Sequence, residues 1–165
     1  MSMLIYSFPS VSETNARILI LGTMPGVASL IAEEYYGNAR NHFWKLMFTI
    51  FEASFSNDYT TKKALLLQNK VALWDVLQAC NREGSLDSAI EQEVPNDFND
   101  FLEKHPEITH IFFNGQKAAA YFKKYVKTTK AYQLHILPST SPANAGKGFE
   151  AKLTEWKAIR LPLAL

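Results

Sequence analysis

The sequence predicts an α/β domain: a three-layer α/β/α sandwich around a central, mainly parallel, four-stranded sheet. Three observations predict it. Four short apolar runs are bounded by turn residues, segments with helical spacing separate them, and small and polar residues gather directly after each apolar run. A strand that is apolar along its whole length is buried on both faces, and parallel pairing needs a crossover, usually a helix, between consecutive strands.

The first strand is "RILILG" at 17–22, closed by the turn "GTMPG". Helical spacing follows in "FWKLMFTIFEA" from Phe43 and in "YTTKKALLLQ" from Tyr59. "KVALWDVL" at 70–77 is the second strand, and "PNDFNDFLEKH" from Pro95 the next helix. "THIFFNG" at 109–115 and "YQLHILP" at 132–138 complete the sheet, with "QKAAAYFKKYV" between them and "FEAKLTEWKAI" after the last. No repeat, low-complexity tract or long linker interrupts this order, so a single domain over residues 1–165 is expected. A chain of 165 residues, 47% of them apolar, can bury the core such a domain requires.

Composition narrows the function classes. No run of 18 apolar residues occurs, and the opening "MSMLIYSFPSV" has neither a basic region nor a long apolar segment, so a soluble intracellular monomer with no membrane contact is expected. The single Cys80 cannot form an intramolecular disulfide, and no Cys/His spacing resembles a zinc site, so no metal is expected. Neither a Gly-x-Gly-x-x-Gly fingerprint nor a phosphate-binding Gly-x-x-x-x-Gly-Lys loop is present, which disfavours nucleotide cofactors. Net charge is only +1, yet eight acids against one Lys lie between Glu83 and Glu107, and Lys117, Lys123, Lys124, Lys127 and Lys130 follow with no acid among them. That basic stretch is either a solvated helix face or an electrostatic footprint for phosphates.

Ligands of such sheets bind beyond the carboxyl ends of the strands, near the point where strand order reverses. The four loops there are "GTMPG", "DVLQACNREGS", "NGQ" and "PSTSPANAGKG", and together they can build one cleft. Gly22 and Gly26 let the backbone turn sharply and approach a ligand, with Pro25 fixing one dihedral between them; a purely structural turn has the same pattern. Asn41, just ahead of the helix from Phe43, can cap that helix or act in a site. Tyr35 and Tyr36 are core aromatics or a surface on which a base stacks. Asn114 is a turn residue before Gly115, or an amide that reads a carbonyl beside a ring N–H. Uracil, hypoxanthine and guanine present that edge; adenine and cytosine reverse it. Asp75, His42 and His135 are read as structural.

Taken together, "LILGTMPGVASL", "YYGNARNHFW", "ALWDVLQACNREGSLDSAI", "FFNGQKA" and "LPSTSPANA", in order from about Arg17 to Trp156, resemble the hypoxanthine-DNA glycosylase (DNA-deoxyinosine glycosylase) family of the uracil-DNA glycosylase superfamily. The resemblance implies a uracil-DNA glycosylase-like fold, a monofunctional hydrolase of N-glycosidic bonds acting on deaminated bases in DNA, and no cofactor. It places Gly22, Met24, Pro25 and Gly26 in the superfamily's first motif, where Met24 stands in place of the usual Asp or Asn that activates water. It implies catalysis by Asn41 and Asn114, stacking of the base on Tyr36, and reading of its edge by Asn114. Ser139, Thr140, Ser141, Pro142, Ala143 and Asn144 fall in the second motif, whose loop enters the duplex. A uracil or mismatch-specific glycosylase and a non-catalytic damaged-DNA-binding module remain the alternatives.

Overall fold

A computed structural model describes residues 4–163. Met1–Met3 at the start of the amino-terminal segment and the final Ala164 and Leu165, both included in the expected domain, lie outside the described residues. The described chain runs β1 (Ile5–Tyr6), β2 (Ile18–Gly22), α1 (Val27–Ala32), α2 (Phe43–Ile50), α3 (Tyr59–Gln68), β3 (Val71–Asp75) and β4 (Leu77–Asn81). It continues through β5 (Glu91–Pro95), α4 (Phe98–Lys104), β6 (His110–Asn114), α5 (Gln116–Tyr125), β7 (Gln133–Leu137) and α6 (Phe149–Trp156).

Four strands form the parallel sheet in the order β3-β2-β6-β7. The chain moves from β2 out to β3, then returns to the other side of β2 for β6, so strand order reverses between β2 and β6. Every residue of β2 is buried, as a central strand with both faces covered requires. Its side chains alternate. Ile18 and Ile20 join Phe112 in an apolar cluster with Leu46 and Met47 of α2, Leu66 of α3 and Trp156 of α6. Leu19 and Leu21 join Ile111 and Phe113 in a second cluster with Phe98 and Phe101 of α4 and Tyr121 and Phe122 of α5. Two helical layers thus flank the sheet, which is the three-layer sandwich expected. Helices of 6 to 10 residues are marginal in water, so burial of these side chains, at ~1.5–3 kcal/mol each, holds the layers in place. Side-chain caps add to two of them: Asp58 accepts from Thr61 N at the start of α3, and Asp97 from Asp100 N at the start of α4.

One expectation needs correction. The run 70–77 is not one strand: Val76 N donates to Gly22 O, and the chain then leaves the parallel sheet and enters β4. β4 pairs antiparallel with β1 and β5, forming a second, three-stranded sheet in the order β1-β4-β5. The six-residue α1, directly after the first turn, was likewise not anticipated. The helix expected from Pro95 begins at Phe98, because Pro95 closes β5.

Candidate active site

The turn after β2 lies on the edge where strand order reverses, and a cleft of about 830 Å³ opens there. All four expected loops line it. Gly22, Met24, Pro25 and Gly26 come from the first, Asp75 and then Ser85–Asp87 from the second, Asn114 and Gly115 from the third, and Pro138 to Ser141 with Ala143, Asn144 and Lys147 from the fourth. Tyr36 and Asn41, from the segment before α2, complete the wall. The sequence-predicted residues are brought together, with Pro142 alone absent from the lining.

The floor is built around Gly22, the cross-strand partner of Asp75. A Cβ at Gly22 would stand 2.6 Å from Asp75 Oδ1 and 2.7 Å from Tyr36 Oη, so only glycine leaves room for both oxygens. Asp75 is 3% exposed, and its Oδ2 accepts from Ser7 Oγ at 2.6 Å. Burial pushes this carboxyl up to about 7; the Ser7 hydrogen bond and Arg82 draw it down, and Asp87 adds to the rise. Tyr36 has a left-handed backbone, φ 54°, and stacks on Phe43 with ring centroids 4.2 Å apart. Its hydroxyl is buried and meets no partner at full hydrogen-bond geometry; burial and then the nearby Asp75 raise its pKa, and the neighbouring Asn114 amide lowers it. Tyr35 is core: it donates from Oη to the Phe8 and Pro9 carbonyls.

Met24 is 8% exposed and packs with Leu21 and Phe113 in the second apolar cluster, so the first motif contributes backbone and shape here, with no polar side chain at that position. Asn41 lies one residue ahead of His42, the N-cap of α2, which has no side-chain cap bond. Asn41 Oδ1 accepts from Phe43 N at 2.9 Å, which ties down the start of α2, and the residue still borders the cleft. The amide NH₂ makes no hydrogen bond to the described residues.

Asn114 is differently committed. Its Nδ2 donates to Thr140 Oγ1 at 2.9 Å, and its Oδ1 accepts from Thr140 N at 2.9 Å. This two-point clasp fastens the end of β6 to the second-motif loop, and it uses the donor–acceptor edge that base reading by Asn114 would need. Thr140 itself is 1% exposed and is held within this clasp. The rest of that loop is held from within: Ser141 N donates to Ser139 Oγ, Ala143 N to Ser141 Oγ, and Asn144 Nδ2 to Ser139 O. Ala143 is left exposed at its tip. Asn114→Asp is therefore expected to keep the clasp, because a carboxylate accepts from both Thr140 N–H and Thr140 O–H. Single-turnover base release within about threefold of wild type checks this; a collapse returns Asn114 to base reading.

The outer wall comes from the β4–β5 connection, whose first residues, Arg82 to Ser85, belong to the second of the four expected loops. Arg82 Nη2 donates to Pro25 O, and Val27 N donates to Ser85 Oγ at 2.8 Å, so this connection is laced to the first-motif turn at two points. The lysine stretch lies elsewhere. Helix α5 starts at the cleft with Gln116, and Lys123 and Lys124 sit about 10–12 Å further along it at 1.5 Å per residue. Lys124 pairs with Glu93 at 3.2 Å, Lys130 donates to Pro106 O, and Lys127 and Lys130 lie beyond the helix. The solvated-face reading fits these positions. The basic residue in the cleft lining is Lys147, whose Nζ is 2.5 Å from Glu155 Oε2; the exposed Arg40 precedes the lining residue Asn41 in the chain.

His42 and His135 do not line the cleft. His42 Nδ1 is 3.3 Å from Nζ of the buried Lys152, and burial lowers the pKa of both groups. His135 stacks on Phe112 at the edge of the sheet. Among the described residues no group of three His, Cys, Asp or Glu is placed to hold a metal ion, and no helix is long and apolar enough to cross a membrane.

Known proteins share this arrangement. The description "Uracil DNA glycosylase superfamily" matches residues 8–161. A protein of Methanosarcina acetivorans named hypoxanthine DNA glycosylase is 39% identical over 153 residues, covering 92% of this chain and 95% of that one. One of Methanosarcina barkeri with the same name is 35% identical over 150 residues, covering 90% and 93%. The solution NMR structure of a Methanosarcina acetivorans protein assigned as a uracil DNA glycosylase superposes with a TM-score of 0.82 at 36% identity, over 98% of this chain and 99% of that one. A four-loop cleft at the β2/β6 switch point, in a chain matched over nearly its whole length, therefore belongs to a member of the uracil DNA glycosylase superfamily.

Proposed function

We propose that this protein is a DNA repair glycosylase that hydrolyses the N-glycosidic bond of deaminated bases flipped out of DNA, hypoxanthine in deoxyinosine foremost. The observation that carries the reading is the cleft itself: a largely polar pocket at the strand ends, in a chain 39% and 35% identical to two proteins named hypoxanthine DNA glycosylase. Chemistry on a base requires the nucleotide to leave the stack and enter a pocket. In this reading the base lies toward Gly22, Tyr36 and Asp75, and the sugar lies against Met24–Gly26 and Asn41. The C1′–N9 bond breaks with its electron pair going to the purine, water adds to C1′ as a hydroxyl and gives up its other proton, and the purine gains one proton and leaves as neutral hypoxanthine.

Asn41, with its oxygen fixed by Phe43 N, presents a preoriented amide to the sugar and the incoming water. Preorganised dipoles of this kind stabilise developing charge without reorganising at the moment of reaction. Asn114 acts here as the clasp that sets the second-motif loop, and Ser139, Ser141, Ala143 and Asn144 offer that loop to the DNA. A Schiff-base lyase step is not part of the reading, since the cleft's lysine, Lys147, is paired with Glu155. The test is incubation with duplexes carrying one inosine or one uracil, with free base measured by mass spectrometry and abasic sites by alkaline cleavage. Hypoxanthine release is expected. Uracil release alone points to the uracil-specific reading, and damage-selective binding without either base points to a binding module.

A further inference from the structure

With the Asn114 edge occupied by Thr140, the cleft floor offers a different pair of groups to a base. We infer that Asp75, in its acid form and together with the Tyr36 hydroxyl, reads the carbonyl and ring N–H edge of the flipped base. This rests on the glycosylase reading above.

Geometry carries it. Asp75 and Tyr36 both line the cleft, and their oxygens converge on the one point of the floor that a glycine keeps open. Tyr36 Oη is a buried donor with no partner, which costs free energy unless a ligand or a water satisfies it. Ser7 Oγ donates to Asp75 Oδ2, marking that oxygen as the acceptor and leaving the acid proton for Oδ1. Oδ1 receives no hydrogen bond from the described residues. A carboxylic acid then presents a donor and an acceptor side by side, the same polarity as a carboxamide. Oδ1–H and Tyr36 O–H donate to the base carbonyl, and Oδ2 accepts from the adjacent ring N–H. Adenine would bring its amino group against those two donors.

The surroundings favour the proton. Burial is the main cause of the raised carboxyl, to about 7, and Asp87 from the β4–β5 connection adds to it. Arg82, from the same connection, opposes it. Tyr35, Tyr36 and Tyr59 face the same carboxyl, and its charge helps to raise the pKa of each. An ionised Asp75 would set two acceptors against the base carbonyl, so recognition should fail as pH rises through about 7.

The experiment is single-turnover hypoxanthine release from an inosine-containing single strand between pH 5.5 and 9, for wild type, Asp75→Asn, Asp75→Leu and Tyr36→Phe. Expected are a wild-type rate that falls at least tenfold across pH 7, an Asp75→Asn rate within a few fold of wild type at pH 6 and flat above it, and a loss of at least tenfold at every pH for Asp75→Leu. Tyr36→Phe should lose several-fold at pH 6 with an unchanged profile. A melting series supplies a second readout. A carboxyl whose folded value lies above its unfolded one loses stability for the protein as pH rises from about 4 to about 7, so Asp75→Asn should gain in Tm over wild type across that window. A wild-type rate that climbs through pH 7 with Asp75→Asn inactive would make Asp75 a base and overturn the inference, as would a flat wild-type profile. No hypoxanthine release by wild type at pH 6 would instead overturn the parent reading, and the inference with it.

Discussion

Asn41→Ala is expected to slow hypoxanthine release in a single turnover by on the order of a hundredfold to a thousandfold, the scale seen when one preorganised transition-state donor is removed. Duplex affinity should change little. Met24 is packed into the core and brings no polar atom, and of the two amides that the segment before α2 sets in the cleft wall, Asn38 and Asn41, the proposed reading puts Asn41 at the sugar. The same substitution removes the hydrogen bond from Phe43 N, at a cost of ~1 kcal/mol in stability. Asn41→Ser separates the two effects, because a serine hydroxyl can take over the cap but has no amide N–H. A serine variant with wild-type Tm and the alanine variant's rate assigns the loss to chemistry. Near-normal cleavage by a destabilised alanine variant would leave Asn41 as a cap alone.

Gly22→Ala is expected to cost at least a hundredfold in the same assay, from a single methyl group. That methyl would stand 2.6 Å from Asp75 Oδ1 and 2.7 Å from Tyr36 Oη, well inside contact distance. Both obstacles are ends of side chains, so the fold survives by swinging them aside, and the floor of the cleft goes with them. Misplacement of reacting or positioning groups by about 1 Å is enough for a loss of this size. Wild-type activity in Gly22→Ala would show that neither oxygen contacts the base. A cooperative melt within a few degrees of wild type distinguishes a spoiled site from a spoiled fold.

Much of this fold was legible in the sequence because β2, β3 and β6 are buried and read as nearly unbroken apolar runs, whereas the mostly exposed edge strand β7 showed only as a short run between turn residues. β2, β6 and β7 and helices α2, α3 and α5 fall where those runs and the helical spacing put them. The second sheet was not legible. β5 reads "EQEVP", with three of its five residues exposed and a proline at its end, which is the composition of a loop; β1 has two residues. The run that holds Asp75 looked like one strand, since nothing in "WDVLQ" reports that the chain changes sheets at Val76.

The site divides in the same way. Turn chemistry and resemblance pointed to Gly22, Asn41 and the second-motif loop, and all three border the same cleft. That Thr140 lies within reach of the Asn114 amide is not visible in the sequence, because the two are 26 residues apart. Asp75 was passed over as structural. The signal that could have raised it was available: an acid ending an apolar strand, in the loop set that forms the cleft.

The lacing of the β4–β5 connection to the first-motif turn gives the two sides of the cleft unequal permanence. The inner side is the centre of the parallel sheet, sealed between two apolar clusters, and opens only when the whole domain does. The outer side is a hairpin whose second strand is mostly exposed, joined to the turn by Arg82 to Pro25 and by Val27 to Ser85. Segments of that kind open at a fraction of the global free energy. On warming, catalysis should therefore disappear several degrees before the cooperative melt, as the hairpin lifts from an intact sheet, and amide hydrogens of residues 82–95 should exchange well ahead of those in β2 and β6. Thermal tolerance of activity and thermal stability of the fold are then separately adjustable properties of one small domain, the first set by a few bonds around Arg82 and the second by the core.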